Sequence, residues 1–318
     1  MEAAVVREWG RLEVQAVPDP KPMSGEVVVE LRAAALNRRD LAVVAGRGGD
    51  LPRPFVPGSD GAGTRRDTGE EVVVFPSLAW GGREDAPGPE FRILGGQDDG
   101  TYAELIAIPE ENLFPKPQRF SWHEAAALPL AGLTAYRALF SRGGLRTGET
   151  VLVLGAGGGV ATFAVQLAAQ AGARVLVTSS SEEKIERARE LGAEGGVSYR
   201  TGDWAEELAG MCDLVVDSVG STWPQSLRCL KPGGRLVVFG ATGGAELTLS
   251  ARAVYSGQWS ILGTTMGSPR DFAGLLDAVD RGEWRPVVDS VRPLADVAAA
   301  HARKAAGEQF GKLVLETV

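Results

Sequence analysis

Apolar and polar positions follow two different patterns along the chain, and the change falls near residue 120. Before it, short β-branched runs such as 27–31 and 71–75 are bounded by Gly, Pro or charged residues. This pattern predicts strands, and several such strands separated by turn residues predict a β-barrel or a β-sandwich. Segment 52–58 contains three prolines and therefore cannot form a helix.

Beyond residue 120, segments typical of strands alternate with segments typical of helices. Ser121 and Glu124 have the spacing of a capping box and predict the start of an Ala-rich helix that Pro129 interrupts. The sequence predicts strands at 151–154, 174–178, 213–217 and 235–239, helices at 160–171, 182–191 and 223–230, and C-terminal helices at 271–281 and 294–307 before a last strand at 312–315. The alternation between residues 151 and 239 predicts a parallel, doubly wound α/β sheet.

A glycine-rich turn follows the strand at 151–154 and leads into the next helix. It contains Gly155, Gly157, Gly158 and Gly159, followed by Val160. Glycines let a pyrophosphate approach the backbone, and the N–H groups and dipole of a helix start attract its charge. Two registers fit, G-x-x-G-x-x-A ending at Ala161 or G-x-G, and a plain tight turn is the alternative. The strand–turn–helix context favours a dinucleotide site.

The end of the strand at 174–178 indicates which dinucleotide binds. An NAD enzyme usually places a carboxylate about 20 residues past the glycines, where it holds the ribose 2′-OH. Here Ser179 and Ser180 occupy this place, and Lys184 follows them. Hydroxyls and a cation suit a 2′-phosphate, so we expect NADP(H). The serines also suit the cap of the helix that starts at Glu182, and the two roles are compatible.

Composition excludes several other classes of protein. The net charge of −8, from 33 Lys and Arg against 41 Asp and Glu, argues against broad binding to nucleic acid or to an anionic membrane. Two cysteines and two histidines do not supply the four closely spaced ligands of a structural zinc site. The uncharged stretch 150–173 could span a bilayer by length, but its glycines argue against this. We expect no signal peptide and a cytoplasmic protein.

Further motifs extend over almost the whole chain in a specific order. They are GEVVVELRAAALNRRD from residue 25, PGSDGAG from residue 57, AAALPLAGLTAY from residue 125, DSVG from residue 217, LKPGG from residue 230, FG at 239–240, and GKLV from residue 311. With the glycine turn, they resemble the medium-chain dehydrogenase/reductases, specifically the zinc-free quinone oxidoreductase branch. The resemblance implies a GroES-like β-barrel catalytic domain over 1–118 and 266–318, and a Rossmann domain over 119–265.

The resemblance also implies roles for individual residues. Asn37 and Asp40 match the N-x-x-D of quinone reductases and are expected to line the site beside the nicotinamide; a turn residue and a helix N-cap, respectively, are the structural alternatives. The expected cofactor contacts, beyond the glycine turn and the serines, are Thr134, Lys184, Tyr199, Val219, Phe239 and Gly240. Zinc enzymes of this family carry Cys at the position of Asn37 and His at that of Ser59, so no bound metal is expected.

Two positions depart from the quinone reductase pattern. The Tyr that often follows the Asp by two residues is Ala42 here, and the C-terminal Arg that holds the 2′-phosphate is Gly307. Arg38 and Arg39 suit a solvated face, while His123 and His301 have positions that do not suggest catalysis. Cys212 and Cys229 are expected to be small core residues.

The sequence therefore predicts an NADPH-dependent oxidoreductase that transfers hydride to quinones or α,β-unsaturated carbonyls without zinc. The alternatives are an alcohol dehydrogenase or carbonyl reductase of the same superfamily, and an NADPH-binding protein without turnover. The expected partner is a small-molecule acceptor, with no nucleic acid and no membrane. The resemblance implies a homodimer in which segment 258–265 forms a sheet edge that pairs across a two-fold axis.

Overall fold

The computed structural model describes residues 1–49 and 51–317, which form two compact units. Unit 1 comprises Met1–Ala131 and Ser268–Val318, and unit 2 comprises Gly132–Gly267. Within the described ranges, no helix is long and apolar enough to cross a membrane. The uncharged stretch 150–173 is divided between a strand and a helix, as the sequence predicted.

The elements are numbered in chain order. The N-terminal part of unit 1 contains β1 (Glu2–Glu8), β2 (Arg11–Ala16), β3 (Glu26–Ala35), α1 (Arg38–Val44), β4 (Asp60–Arg65), β5 (Glu71–Val74), β6 (Ser77–Leu78), β7 (Arg92–Ile93), β8 (Leu105–Pro109), a 3₁₀ turn (Glu110–Asn112), β9 (Leu113–Pro115) and α2 (Trp122–Ala127). Helix α3 (Pro129–Tyr136) leads into unit 2.

Unit 2 continues with a π-helical segment (Arg137–Arg142), β10 (Thr150–Leu154), α4 (Gly159–Gln170), β11 (Arg174–Ser179), α5 (Glu182–Glu190), β12 (Gly195–Ser198), α6 (Trp204–Glu207), β13 (Cys212–Asp217), α7 (Trp223–Arg228), β14 (Leu230–Val238), α8 (Ala251–Gly257) and β15 (Ser260–Gly263). The C-terminal part of unit 1 contains α9 (Pro269–Arg281), β16 (Val288–Pro293), a 3₁₀ turn (Leu294–Asp296), α10 (Val297–Ala306) and β17 (Lys312–Glu316).

Unit 1 is built on a seven-stranded, mostly antiparallel sheet among its described residues. The strand order is β16-β17-β3-β4-β5-β9, and β8 also pairs with β3. The long strand β3 pairs with both β4 and β8. Its residue Val29 lies opposite Arg65 on β4 and opposite Ile106 on β8. Strand β17 pairs with β3 at Val314 and Ala35, which brings the two ends of the chain into one sheet. Strands from both parts of unit 1 therefore share one sheet.

Unit 1 reaches further along the chain than the predicted boundary at residue 118. Helix α2 starts at Ser121 with the predicted capping box, in which the Glu124 carboxylate accepts the Ser121 N–H at 2.8 Å. The buried face of α2 packs on β3, β4 and β17, so this helix belongs to unit 1. The boundary between the units accordingly falls at Ala131.

A buried ion pair joins the segments of unit 1 that carry its polar groups. Lys312, 1% exposed, donates from Nζ to Asp60 Oδ2 and to Asn37 Oδ1, each at 2.7 Å. Asn37 Nδ2 donates to Asp60 Oδ2 at 2.8 Å, and the Leu130 N–H donates to Asp60 Oδ1 at 2.7 Å. Burial raises the pKa of Asp60, and the Lys312 charge opposes that shift. These bonds hold the starts of α1, β4 and α3 against β17.

Unit 2 is a six-stranded parallel sheet of order β12-β11-β10-β13-β14-β15. Renumbered within the unit, this is the 3-2-1-4-5-6 order of doubly wound dinucleotide-binding folds. The central strand β10 is buried along its whole length and pairs Val151 with Val175 on one side and with Leu214 on the other. All parallel strands end at the same edge of the sheet, and their loops there form the usual ligand site of such folds.

We expect the buried ion pair to be needed as a pair for the stability of unit 1. Lys312→Met leaves the Asp60 carboxylate buried without its counter-ion, which should lower the free energy of unfolding by about 3 kcal/mol or more. Adding Asp60→Asn should recover part of this loss, because no buried charge then remains unpaired. Urea denaturation of the wild type, both single variants and the double variant measures the coupling.

The exposed pair of Arg32 and Glu30 on β3 supplies the control, since Arg32→Met should change stability by less than about 1 kcal/mol. A Lys312→Met variant as stable as Arg32→Met would contradict the role given to the buried pair.

Candidate functional site

The glycine turn lies between β10 and α4 and presents free backbone donors. Gly155 has φ +77°, a conformation that favours glycine, and the N–H groups of Gly155 and Ala156 both donate to the Thr178 carbonyl of β11. Gly158 is the N-cap of α4, and no side chain caps this helix. The first N–H groups of α4, from Gly159 and Val160, therefore point out of a helix start with its positive dipole end. This geometry suits a pyrophosphate.

The serines predicted to face a 2′-phosphate lie at the carboxyl end of β11. Ser179 ends the strand and accepts the Ser181 N–H, while Ser180 is half-buried. Ser181 caps α5 by accepting the Lys184 N–H at 3.4 Å, so the capping alternative holds for this third serine. The exposed Tyr199 is tied to the same strand end, since its N–H donates to the Ser179 carbonyl at 3.0 Å.

A buried carboxylate shapes the next loop at this edge of the sheet. Asp217 ends β13 and accepts the N–H groups of Val219 and Gly220, at 2.6 Å and 3.2 Å, and the hydroxyls of Thr222 and Ser226, each at 2.8 Å. Four donors hold the chain around Val219 in one conformation.

The loop after β14 packs directly on the Val219 loop. The Gly243 N–H donates to the Val219 carbonyl at 2.7 Å, and the Phe239 N–H donates to the Asp217 carbonyl at 3.1 Å. A Cβ on Gly240 would lie 2.8 Å from the Ser218 carbonyl oxygen, so only glycine fits there. The glycine turn, the serines, Val219, Phe239 and Gly240 thus all follow carboxyl ends of the parallel strands. Thr134 does not follow a strand of this sheet; it is buried in α3.

Asn37 and Asp40 lie together in unit 1, at the start of α1. Asn37 is the N-cap, but its carboxamide bonds Asp60 and Lys312 rather than its own backbone. Asp40 is not an N-cap; its Oδ2 accepts the Asn37 N–H and the Tyr102 hydroxyl, each at 2.7 Å. Burial raises the pKa of Tyr102, and the adjacent Asp40 charge adds to this shift.

The residues at the two zinc-ligand positions of the resembled family do not fit a metal ion. The only oxygen of the Asn37 side chain already accepts a bond from the Lys312 ammonium, whose charge repels a cation. Ser59 Oγ donates to the Leu94 carbonyl at 2.7 Å and accepts from Arg39 Nη1 at 2.6 Å. Across residues 1–49 and 51–317, no three His, Cys, Asp or Glu side chains are grouped as metal ligands.

The histidines and cysteines lie where the sequence suggested. His123 is partly exposed and faces Glu316 at 3.0 Å. His301 packs edge-on against Tyr102, and burial lowers the pKa of this histidine. Cys212 and Cys229 are both buried in the core of unit 2, where burial raises the pKa of each thiol to about 12. Neither thiol is therefore poised as a nucleophile at neutral pH.

The sequence interpretation assigned no role to Lys312, Asp60, Tyr102 and Asp217, and it placed Arg39 on a solvated face. Arg38 is exposed as expected, but the Arg39 side chain is only 24% exposed and bonds to buried groups. One signal was available, because Lys312 is a charged residue at the start of an apolar strand, and lysine is almost never buried without a partner. The identity of that partner depends on tertiary structure.

Comparison with known proteins agrees with both units. Residues 23–118 match the family model described as the alcohol dehydrogenase GroES-like domain, and residues 159–281 match that of the zinc-binding dehydrogenases. A zinc-type alcohol dehydrogenase-like protein of Schizosaccharomyces pombe is 36% identical, over 92% of this chain and 91% of that protein. A quinone oxidoreductase of Pseudomonas aeruginosa is 34% identical, over 96% and 95% respectively.

A solved structure shows the same fold along the whole chain. The crystal structure of an NAD-dependent alcohol dehydrogenase matches with a TM-score of 0.95 at 40% identity, and the match covers 100% of both chains. Family models, full-length relatives and fold therefore agree: the chain belongs to the medium-chain dehydrogenase/reductase superfamily, a group of nicotinamide-dependent oxidoreductases with a GroES-like and a Rossmann domain.

Proposed function

We propose that this protein is an NADPH-dependent reductase that transfers hydride to quinones or α,β-unsaturated carbonyls without zinc. The observation that carries the proposal is the environment of Asn37. A carboxamide stands where zinc enzymes of the family have a thiolate, and its oxygen is bound by the Lys312 ammonium. A reaction that needs no metal to polarise an alcohol or a simple carbonyl suits this site, because quinones and enones are already activated acceptors.

Asn37 is proposed to orient the acceptor. Its Nδ2 carries two N–H groups, and Asp60 accepts one of them. The Asn37 carboxamide is held against a 180° flip, because Lys312 donates to its oxygen and Asp60 accepts from its nitrogen. The second N–H is thus a pre-oriented donor for an acceptor oxygen. Asp40 fixes the backbone of Asn37 through the bond from the Asn37 N–H.

The cofactor is proposed to bind along the carboxyl edge of the sheet in unit 2. The N–H groups after Gly158 would hold the pyrophosphate, and Ser180, Lys184 and Tyr199 would face the 2′-phosphate. The loops at Val219 and Phe239–Gly240, with Thr134, would hold the nicotinamide half. When bound, NADPH supplies the hydride. No carboxylate lies among residues 177–181 to favour NAD or to repel the 2′-phosphate.

The alternative with support of its own is an alcohol dehydrogenase or carbonyl reductase. The matched crystal structure at 40% identity is described as an NAD-dependent alcohol dehydrogenase. The quinone oxidoreductase of Pseudomonas aeruginosa supports the acceptor class proposed here. An NADPH-binding protein without turnover is the third reading, and an acceptor assay separates the three.

The protein is also proposed to form a homodimer through β15. This strand is last in the sheet order of unit 2 and lies inside segment 258–265, which the family resemblance implies is a sheet edge. An unpaired strand edge is a template for a second copy. Sedimentation equilibrium should give about twice the chain mass of 33.4 kDa. A monomer at micromolar concentration would contradict this arrangement.

Turnover of metal-stripped protein tests the proposed reaction. NADPH consumption is measured with an ortho-quinone, an enone and a simple aldehyde in parallel, with chelator present throughout. We expect turnover of the quinone or the enone that chelation does not reduce, and little turnover of the aldehyde. Activity that appears only after zinc is added would overturn the metal-free reading and favour an alcohol dehydrogenase.

The cofactor preference is tested at the end of β11. Ser180→Asp places a carboxylate beside the 2′-phosphate, so the Kd of NADPH should rise at least about tenfold, equivalent to about 1.4 kcal/mol. The Kd of NADH should change little. Ser180→Asn, of similar size and uncharged, is the matched control. Fluorescence titration measures both constants, and an equal rise for both cofactors in Ser180→Asp would refute the assignment.

A further inference from the structure

We propose that Arg39 is a catalytic residue that donates hydrogen bonds to the acceptor oxygen as negative charge develops on it. This inference rests on the proposed function and names a second group at the same site. Arg39 lies in the first turn of α1, two residues after the N-cap Asn37, and is less exposed than its neighbour Arg38.

The Arg39 guanidinium is fixed through one of its two terminal nitrogens. Nη1 donates to Ser59 Oγ at 2.6 Å and to the Leu94 carbonyl at 2.9 Å. Ser59 Oγ itself donates to the same carbonyl at 2.7 Å, so the three groups close a ring of hydrogen bonds. A guanidinium is planar and rigid, so fixing Nη1 also fixes the direction of the remaining donors.

The remaining N–H groups of Arg39 are available. Nε and Nη2 donate no hydrogen bond to any residue in 1–49 or 51–317, and they are absent from the buried atoms that lack partners, so they contact solvent. The Asp40 carboxylate does not consume them, because its nearest approach is 3.8 Å, from Oδ1 to Nη1. Gly96 leaves space beside Nη2, where even an added Cβ would lie 3.6 Å away.

Burial strengthens the interaction of the Arg39 guanidinium with an anion, and the carboxylates nearby offset part of this gain. Burial lowers the pKa of the Arg39 guanidinium, and the nearby Asp40, Tyr102 and Asp60 oppose that shift. Asp60 is already paired with Lys312, and Asp40 Oδ2 accepts two other donors. A partly desolvated guanidinium with free, fixed donors is the arrangement that stabilises a developing oxyanion.

The chemistry of the proposed reaction requires such a group. Hydride addition to the β-carbon of an enone forms a C–H bond and moves the C=C electron pair toward the carbonyl, so that negative charge collects on its oxygen. Bound NADPH would be the reductant that supplies the hydride, and a proton from water would add to the α-carbon. Quinone reduction places the same charge on a phenolic oxygen. In zinc enzymes the metal ion stabilises this negative charge, whereas here the Arg39 guanidinium would stabilise it.

Kinetics of Arg39→Gln test the proposal, with Arg38→Gln as the matched control. We expect kcat/KM for the accepted quinone or enone to fall about 100-fold in Arg39→Gln. Arg39→Lys keeps the charge without the planar donors, so its kcat/KM should lie between those of wild type and Arg39→Gln. The kcat/KM of Arg38→Gln should stay within about threefold of wild type. Thermal denaturation and NADPH affinity confirm that each variant is folded and loaded.

A second readout needs neither cofactor nor turnover. The probe is 4-nitrophenol, whose phenolate is distinguished from the phenol by its absorbance. Bound to the wild-type protein, it should ionise about one pH unit below the free probe, because a guanidinium stabilises the phenolate. When the probe is bound to Arg39→Gln, it should ionise at a pH no lower than that of the free probe.

The outcomes separate the two proposals. A wild type that reduces neither quinone nor enone refutes the proposed function, and the probe titration then decides the role of Arg39 alone. A folded Arg39→Gln variant with kcat/KM within about threefold of wild type refutes the role of Arg39 while the proposed function stands. A probe that ionises at the same pH in wild type and Arg39→Gln refutes it as well.

Discussion

The buried contact between Lys312 and Asp60 is the constraint on which the polar centre of unit 1 depends. Removing both charges from water costs free energy. This cost is offset only if the partners meet at hydrogen-bond distance and their remaining donors and acceptors also form hydrogen bonds. The pair meets this condition at 2.7 Å, with Asn37 and the Leu130 N–H completing the set. Because the residues come from four distant segments, the ion pair also specifies how those segments assemble.

The orientation of the candidate site follows from this contact. Asn37 has one amide orientation that serves both Lys312 and Asp60, and Asp40 then closes on the Asn37 backbone. Arg39 is held from a different side, by Ser59 and the Leu94 carbonyl. Two separate sets of hydrogen bonds thus fix the donors of Asn37 and Arg39 at the start of one short helix. Donors that are already fixed need no reorganisation when charge develops on a bound acceptor.

Unit 2 uses a buried carboxylate for a comparable purpose. Asp217 accepts three donors from the loop after β13 and a fourth, the Ser226 hydroxyl, from α7. The loop after β14 then packs on the loop after β13 by backbone hydrogen bonds. Ligand loops that are rigid before binding lose less entropy on binding. The start of α4, by contrast, has no side-chain cap, so its first N–H groups stay available to a ligand.

The sequence alone determined unit 2 closely, because its signals are local. An apolar run, a glycine turn and a helix in succession define a βαβ unit, and the observed strand at Thr150–Leu154 and helix at Gly159–Gln170 lie within a residue or so of those predicted. The resemblance to the family implied the sheet edge at 258–265, and residue type indicated that the cysteines are buried.

Only the tertiary structure decided which polar groups meet in unit 1. Lys312 and Asn37 are 275 residues apart, and nothing in the local sequence around either indicates the other. For the same reason Arg39 looked like half of a solvated pair with Arg38, since its partners Ser59 and Leu94 lie 20 and 55 residues away. Local patterns determine elements, because hydrogen bonding and side-chain period act over a few residues. The pairing of buried charges depends on where distant strands come together, and that is a property of the fold.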